Sequence, residues 1–229
     1  LLVLLFGIHP ATAVGTDLLY AAITKAGGTV VHARKGHVDW RITRLLASGS
    51  MPAALLTIWA LSFLPKQSAA VSQIISVSLG VALLLTAAAI IFRNQLQQQA
   101  LAQADDVAHT QFRAPITIAI GALLGVLVTI SSVGAGALGV AVLFYLYPRL
   151  PAIRIIGSDV AHAVPLTLLA GLGHWLIGSV DWSLLGSLLL GSLPGIWLGS
   201  HASAKVPERV LRPILAGMLL LIGSKLIAQ

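Results

Sequence analysis

The sequence predicts an all-α, polytopic membrane protein built from two homologous helical repeats, each opened by a hairpin or broken helix. Three observations carry this. First, the chain contains itself twice. Gly15-Thr16-Asp17 recurs as Gly157-Ser158-Asp159. His32, Gly36, Val38, Asp39 and Trp40 recur as His174, Gly178, Val180, Asp181 and Trp182, and Gly49, Ser50 and Pro52 recur as Gly191, Ser192 and Pro194. Each pair stands 142 residues apart (157 − 15, 174 − 32, 194 − 52), so the match runs without a gap. That period is too long for a solenoid, and a duplicated half in an apolar chain points to a transporter with a site near the membrane midplane. Second, the chain is 57% hydrophobic and 9% charged, with a mean hydropathy of +0.94. A soluble domain carries about 25% charged residues. Apolar stretches of about 20 residues suit spanning helices, and the alternating segments of about 10 residues that a barrel needs do not occur. Third, the basic residues behind the net charge of +7 lie in short breaks between apolar stretches. That placement fits the positive-inside rule rather than nucleic-acid binding. With no cysteine, disulfides, thiolate metal sites and thiol catalysis are excluded.

The elements follow in order. Leu1 to Ile8 is too short to span alone and ends at Pro10. It resembles Gly139 to Pro148, with a slip of register (148 − 10 = 138). The second copy carries a further segment, Pro115 to Ala137, without a counterpart in the first, so the sequence reads as truncated at its N-terminus. No basic region precedes Leu1 to Leu5 as a signal peptide would require. Helices are expected over Thr12 to Val31, Leu45 to Leu64 and Ala69 to Phe92, with a basic loop from His32 to Arg44 and a break at Pro65-Lys66. Arg93 to Arg113, rich in Gln and Ala with Asp105 and Asp106, reads as a polar linker forming a surface helix. Pro115 opens a helix that stops near Ser131-Ser132-Val133-Gly134-Ala135-Gly136, and a second arm runs to Tyr147. Ile153 to Ile177, Trp182 to Gly199 and Pro207 to Ile227 complete the set. The organisation is thus a first repeat over 1–92, a linker over 93–114 and a second repeat over 115–229.

Charge gives an orientation. The loop Arg34 to Arg44 is strongly basic, whereas its repeat partner Gly178 to Asp181 has no basic residue. If Pro115 to Tyr147 is a hairpin, three spans remain per half, and the halves are inverted. Arg149, Arg154, Lys205, Arg209 and Arg212 then fall on the cytoplasmic side with the basic loop.

Asp17 and Asp159 lead the candidate functional residues. A carboxylate within the bilayer costs several kcal/mol unless paired or hydrated, which suits a coupling site for a proton or cation. Helix capping by Thr16, Ser158 and the two carboxylates is the competing reading. His162 lies three residues after Asp159 on the same helix face, where an Asp–His pair could relay protons or simply bond. The repeat has Tyr20 there. The Ser131 to Gly136 break is a small-residue interruption of the kind that marks transporter binding sites, and glycines let a following helix aim its N–H groups at an anion. Close helix packing is the alternative. Ser131, Ser132, Gly134 and Gly136 would then line an anion site together with Gly15, Thr16, Gly157 and Ser158. Lys25 either pairs with a carboxylate, holds an anion or snorkels. His32 and His174 read as interfacial anchors, since about 15 residues of helix, roughly 22 Å, separate each from its Asp. No second ligand stands at the HxxxH spacing of a zinc site. Asp39-Trp40 and Asp181-Trp182 read as a helix cap plus an interfacial Trp.

Ala13-Val14-Gly15-Thr16-Asp17-Leu18-Leu19, Gly36-His37-Val38-Asp39 and Gly49-Ser50-Met51-Pro52, with their second-half repeats, resemble the signature of the sulfite exporter TauE/SafE family of membrane permeases. The resemblance covers both repeats. It implies a multi-pass bacterial inner-membrane permease for sulfur-containing anions such as sulfite, sulfoacetate or related organosulfonates. The glycine-rich motif of the family's second hairpin corresponds to Val133-Gly134-Ala135-Gly136. The family often has Ser where this chain has Asp17 and Asp159, which suggests cation coupling or a different substrate. No nucleotide-binding motif is present, so the expectation is a secondary transporter without cofactor, partnered by a small anion and the bilayer but not by nucleic acid. A cation or metal permease built on Asp17, Asp159 and His162, an intramembrane enzyme using Asp159 and His162, and an assembly factor are the alternatives. An enzyme would need a nucleophile or cofactor, and neither is evident.

Overall fold

The structure, a computed structural model, describes residues 2–64, 69–102, 113–134, 136–203 and 208–228. The secondary structure of the described residues is helix, without a strand: α1 (Leu2–Phe6), α2 (Pro10–Arg34), α3 (Trp40–Ser62), α4 (Ala69–Ala102), α5 (Arg113–Ser131), α6 (Ala137–Leu146), α7 (Ala152–Leu176), α8 (Trp182–Ser203) and α9 (Glu208–Ile227). Among the described residues, five segments are long and apolar enough to cross a membrane: Trp40–Ser62, Val71–Phe92, Arg113–Ser131, Ala152–Leu176 and Val210–Ile227. The break at Pro65-Lys66, Ala135, the acidic pair Asp105 and Asp106, Lys205 and Pro207 lie outside the described residues.

Several boundaries differ from the sequence expectation, each for a local reason. Pro10 opens α2 rather than merely ending α1, because the first helical position needs no N–H donor. Arg34 belongs to the last turn of α2, and Arg41 and Arg44 ride on α3. The basic loop is therefore five residues, Lys35 to Asp39. It starts with a turn in which Gly36, at φ 68°, takes the left-handed conformation that glycine adopts cheaply. Gly178 repeats this after α7 at φ 73°. Asp39 accepts from the N–H groups of Arg41 and Ile42, and Asp181 from those of Ser183 and Leu184. Both carboxylates are the helix caps their sequence suggests, and Trp40 and Trp182 stand half exposed beside them. The Leu184 N–H and then the Ser183 hydroxyl hold Asp181 below the usual carboxylate range. On the other side of the molecule, α4 runs unbroken to Ala102, so the first part of the expected linker continues a spanning helix.

The two halves embrace reciprocally. Gly15 packs on the Ser179 carbonyl and the His174 side chain, while Gly157 packs on the His37 carbonyl and the His32 ring. The Thr16 hydroxyl accepts from the Asp181 N–H (3.0 Å), and the Ser158 hydroxyl accepts from the Asp39 N–H (2.7 Å). Each contact recurs with the halves exchanged, as a two-fold relation requires. Along α2 and α7 the contacts run in opposite directions: Gly15 meets His174, Leu19 meets Gly171, and Thr29 meets Val160. The two helices are therefore antiparallel. The pair α4 and α9 is antiparallel too, with Gly80 against Ile227 and Leu84 against Gly223.

Close approach through small residues holds the remaining interface. Gly49 of α3 sits on the Ile118 carbonyl, Gly121 of α5 on the Leu46 carbonyl, and Gly125 on Ser50. Glycines four apart let helix backbones touch, which replaces the hydrophobic drive that lipid does not supply. α5 and α6 form a hairpin whose open ends meet where the Thr117 and Tyr147 hydroxyls lie 2.8 Å apart. Large apolar side chains such as Leu56, Leu123, Leu190 and Leu221 are outside, at 65 to 74% exposure. Such a surface has lipid as its natural solvent.

Candidate functional site

The turn between α5 and α6 is where regular backbone stops. Ser132 has φ 59°, and Gly134 and Gly136 have φ 131° and 138°. A non-glycine residue at positive φ is held there by its surroundings. Here the Ser132 N–H reaches the Val128 carbonyl (2.7 Å), and the Ser132 hydroxyl donates to Oδ2 of Asp17 (2.7 Å) on the other half. Ser131 is buried, with its hydroxyl 2.7 Å from the Leu127 carbonyl and accepting from the Val133 N–H at 3.2 Å. Ser131, Ser132, Val133 and Asp17 share the wall of a cavity of about 470 Å³. Apolar residues, among them Leu79, Leu83 and Ile222, supply the rest of its wall. Asp17 is the charged group among the described lining residues.

Asp17 and Asp159 are each the eighth residue of their helix, counting from Pro10 and Ala152. They are not caps; His9 and Pro151 hold those positions. Asp159 is fully buried, and neither of its oxygens has a hydrogen-bond partner among the described residues. α6 reaches it with Gly139, where any larger side chain would overlap the carboxylate. The antiparallel register sets Asp17 level with about residue 172 and Asp159 level with about residue 30. The carboxylates are thus about 13 residues, roughly 20 Å, apart along the axis. They form two places related by the pseudo-symmetry, not one shared site. Lys25 lies at a level between them, and its charge acts on both carboxylates.

His162 does not bond to Asp159. Its Nε2 lies 2.8 Å from the Ser50 hydroxyl, buried at the α3–α7 contact. The Asp–His bond expected from their spacing is therefore absent among the described residues, because the ring points to α3. Ser50 belongs to the repeated Gly49-Ser50-Pro52 motif, a hint the sequence offered without naming its partner. Ser50→Ala should lower stability by about 1–3 kcal/mol, since it strands a buried imidazole nitrogen. Thermal unfolding of the purified protein reads this directly. An unchanged midpoint would mean that His162 finds another partner.

His174 is no interfacial anchor. It is buried, with Nε2 2.9 Å from the Thr129 carbonyl, which ties α7 to α5. His32 is half-buried, and its ring centroid lies 5.9 Å from that of His37. Gly15, Thr16, Gly157 and Ser158 stand at the reciprocal joints between halves rather than among the lining residues of the cavity. Gly134 and Gly136 shape the turn above it. Among the described residues, no group of three or more His, Asp or Glu side chains could hold a metal ion.

Spanning helices, an antiparallel α2–α7 pair and a broken hairpin beside a cavity describe a multi-pass membrane protein. Residues 1–226 match the family described as Sulfite exporter TauE/SafE, and the chain belongs to it. Two relatives from Bacillus subtilis (strain 168) are similar over nearly the whole chain. The probable membrane transporter protein YjnA is 38% identical over 226 residues, covering 99% of this chain and 89% of the relative. The probable membrane transporter protein YdhB is 29% identical over 234 residues, covering 96% and 89%. No solved structure matches the chain.

Proposed function

We propose that the chain is a secondary transporter of small sulfur-containing anions, such as sulfite, sulfoacetate or related organosulfonates, coupled to protons and working in a bacterial inner membrane without catalysing a reaction. The basic end of the bundle faces the cytoplasm, and the halves are inverted across the membrane. The observation that carries this reading is the Ser132–Asp17 contact, which places hydroxyl donors of a broken helix and a carboxylate of the opposite half on one cavity.

The chemistry follows from charge. An anion about 4 Å from an ionised Asp17 would be repelled by about 4 kcal/mol at an effective dielectric near 20. A proton on Asp17 removes that repulsion. It also frees the Ser132 hydroxyl, which otherwise donates to the carboxylate, to donate to a substrate oxygen. Proton and anion therefore enter together. Asp159 serves the same purpose at the other level, with His162 holding α7 against α3 at Ser50 beside it. Lys25, between the two, draws the anion past the midplane. Gly134 and Gly136 allow the turn to present its donors, and the Gly15-Thr16 and Gly157-Ser158 joints let the halves rock against each other around the site.

Uptake of labelled sulfite, sulfate, thiosulfate and sulfoacetate into proteoliposomes under an imposed pH gradient tests this. Accumulation of at least one sulfur anion, collapsing with the gradient, is expected. Transport of a divalent or monovalent cation with none of the anions would replace this reading by a cation permease centred on Asp17.

A further inference from the structure

We propose that a second cavity, at the end of the bundle where α3, α5 and α7 begin, binds the phosphate headgroup of an anionic phospholipid. The cavity measures about 410 Å³, and Arg41, Arg113, Arg149 and Asp39 supply its charged walls over a floor that includes Ile42 and Leu45. Three guanidinium groups face one carboxylate. That carboxylate is already engaged: Asp39 caps α3 through Oδ1, and its Oδ2 lies 3.5 Å from Arg154. The described lining residues therefore carry more positive than negative charge. Nε of Arg113 is buried and has no hydrogen-bond partner among the described residues. A buried guanidinium donor without an acceptor is costly, and an oxyanion in the cavity satisfies it. The guanidinium fork binds phosphate oxygens in pairs, which a lysine in the same place would not do.

The position favours a lipid over a solute. Trp40, 52% exposed, adjoins Arg41, and a half-exposed tryptophan at a helix end marks the headgroup level. The floor is apolar, as the glycerol and first acyl carbons require. Basic pockets between spanning helices are suited to anionic headgroups. The Thr117–Tyr147 bond ties the start of α5 to the end of α6 and so keeps Arg113 and Arg149 on the same cavity. The site also lies at the opposite end of α2 from Asp17, so it is separate from the transport cavity.

Native mass spectrometry of the full chain in micelles doped with phosphatidylglycerol or phosphatidylcholine tests the proposal. Phosphatidylglycerol should stay bound and phosphatidylcholine should not. Arg113→Gln with Arg149→Gln should weaken phosphatidylglycerol binding by about tenfold or more, while Lys225→Gln, a basic residue elsewhere, leaves it unchanged. Should the double variant fail to fold, judged by gel filtration, Arg41→Gln is measured instead and should show the same direction of change. Equal retention of the two lipids, wild-type retention in the arginine variants, or full displacement by millimolar inorganic phosphate would each overturn the assignment, the last by showing a site for free oxyanions.

Discussion

Asp17→Asn should abolish pH-driven accumulation of the anion while leaving exchange of bound anion across the membrane intact. Asparagine copies the protonated carboxyl in shape and neutrality, and like it offers a weaker acceptor than the carboxylate that the Ser132 hydroxyl reaches at 2.7 Å, so that hydroxyl is free to turn to the anion. The cavity wall is unchanged, but the group that takes and releases the proton is gone. Accumulation at a tenfold proton gradient should fall by about tenfold, to the level set by exchange alone. Asp159→Asn should do the same from the other level of the membrane, because its oxygens lie buried without a hydrogen-bond partner among the described residues. Normal gradient-driven accumulation by Asp17→Asn, measured with labelled sulfite in proteoliposomes, would remove the carboxylate from the coupling step.

Gly134→Leu should eliminate both exchange and accumulation without dismantling the bundle. Gly134 has φ 131°, a conformation L-residues rarely adopt, and an added Cβ would press on the side chains of Leu127 and Val128 at 3.3 Å. The strain is about 1–3 kcal/mol. It falls on the turn that carries Ser132, while the glycine contacts joining α3 to α5 and α2 to α7 involve other residues. Gly136→Ala meets open space and carries only the cost of its φ of 138°, so it should reduce transport less. Gly134→Leu with wild-type exchange would place the substrate away from this turn.

What was legible in the sequence is what local chemistry writes there. The repeated Asp39-Trp40 and Asp181-Trp182 pairs announced helix starts, and consecutive glycines and serines announced the broken hairpin, because caps and turns are decided within a few residues. The partner across a helix interface is not written locally. Nothing in the spacing of Asp159 and His162 shows that the imidazole turns to Ser50, since an i, i+3 pair shares a face without being obliged to bond. His174 looked like an anchor because it sits near a helix end, yet α5 covers it. The 142-residue repeat revealed the duplication and the loop charges pointed to inverted halves, but the register in which α2 and α7 run antiparallel emerges from contacts such as Gly15 with His174. The same register separates Asp17 from Asp159, which a symmetric pair of carboxylates in a sequence invites one to place together.

The proposed transport path requires the two halves to be inverted across the membrane. The chain has no cysteine, so single cysteines report cleanly. Gly36 and Gly178 are exposed loop residues at opposite ends of the antiparallel pair α2 and α7. Their left-handed φ angles cost a substituted residue about 1–2 kcal/mol, which exposed turns tolerate. In intact cells and inverted vesicles, a membrane-impermeant maleimide should label Gly36→Cys from the cytoplasmic side and Gly178→Cys from the opposite side. Labelling of both from one side would contradict the inverted halves and the transport path built on them.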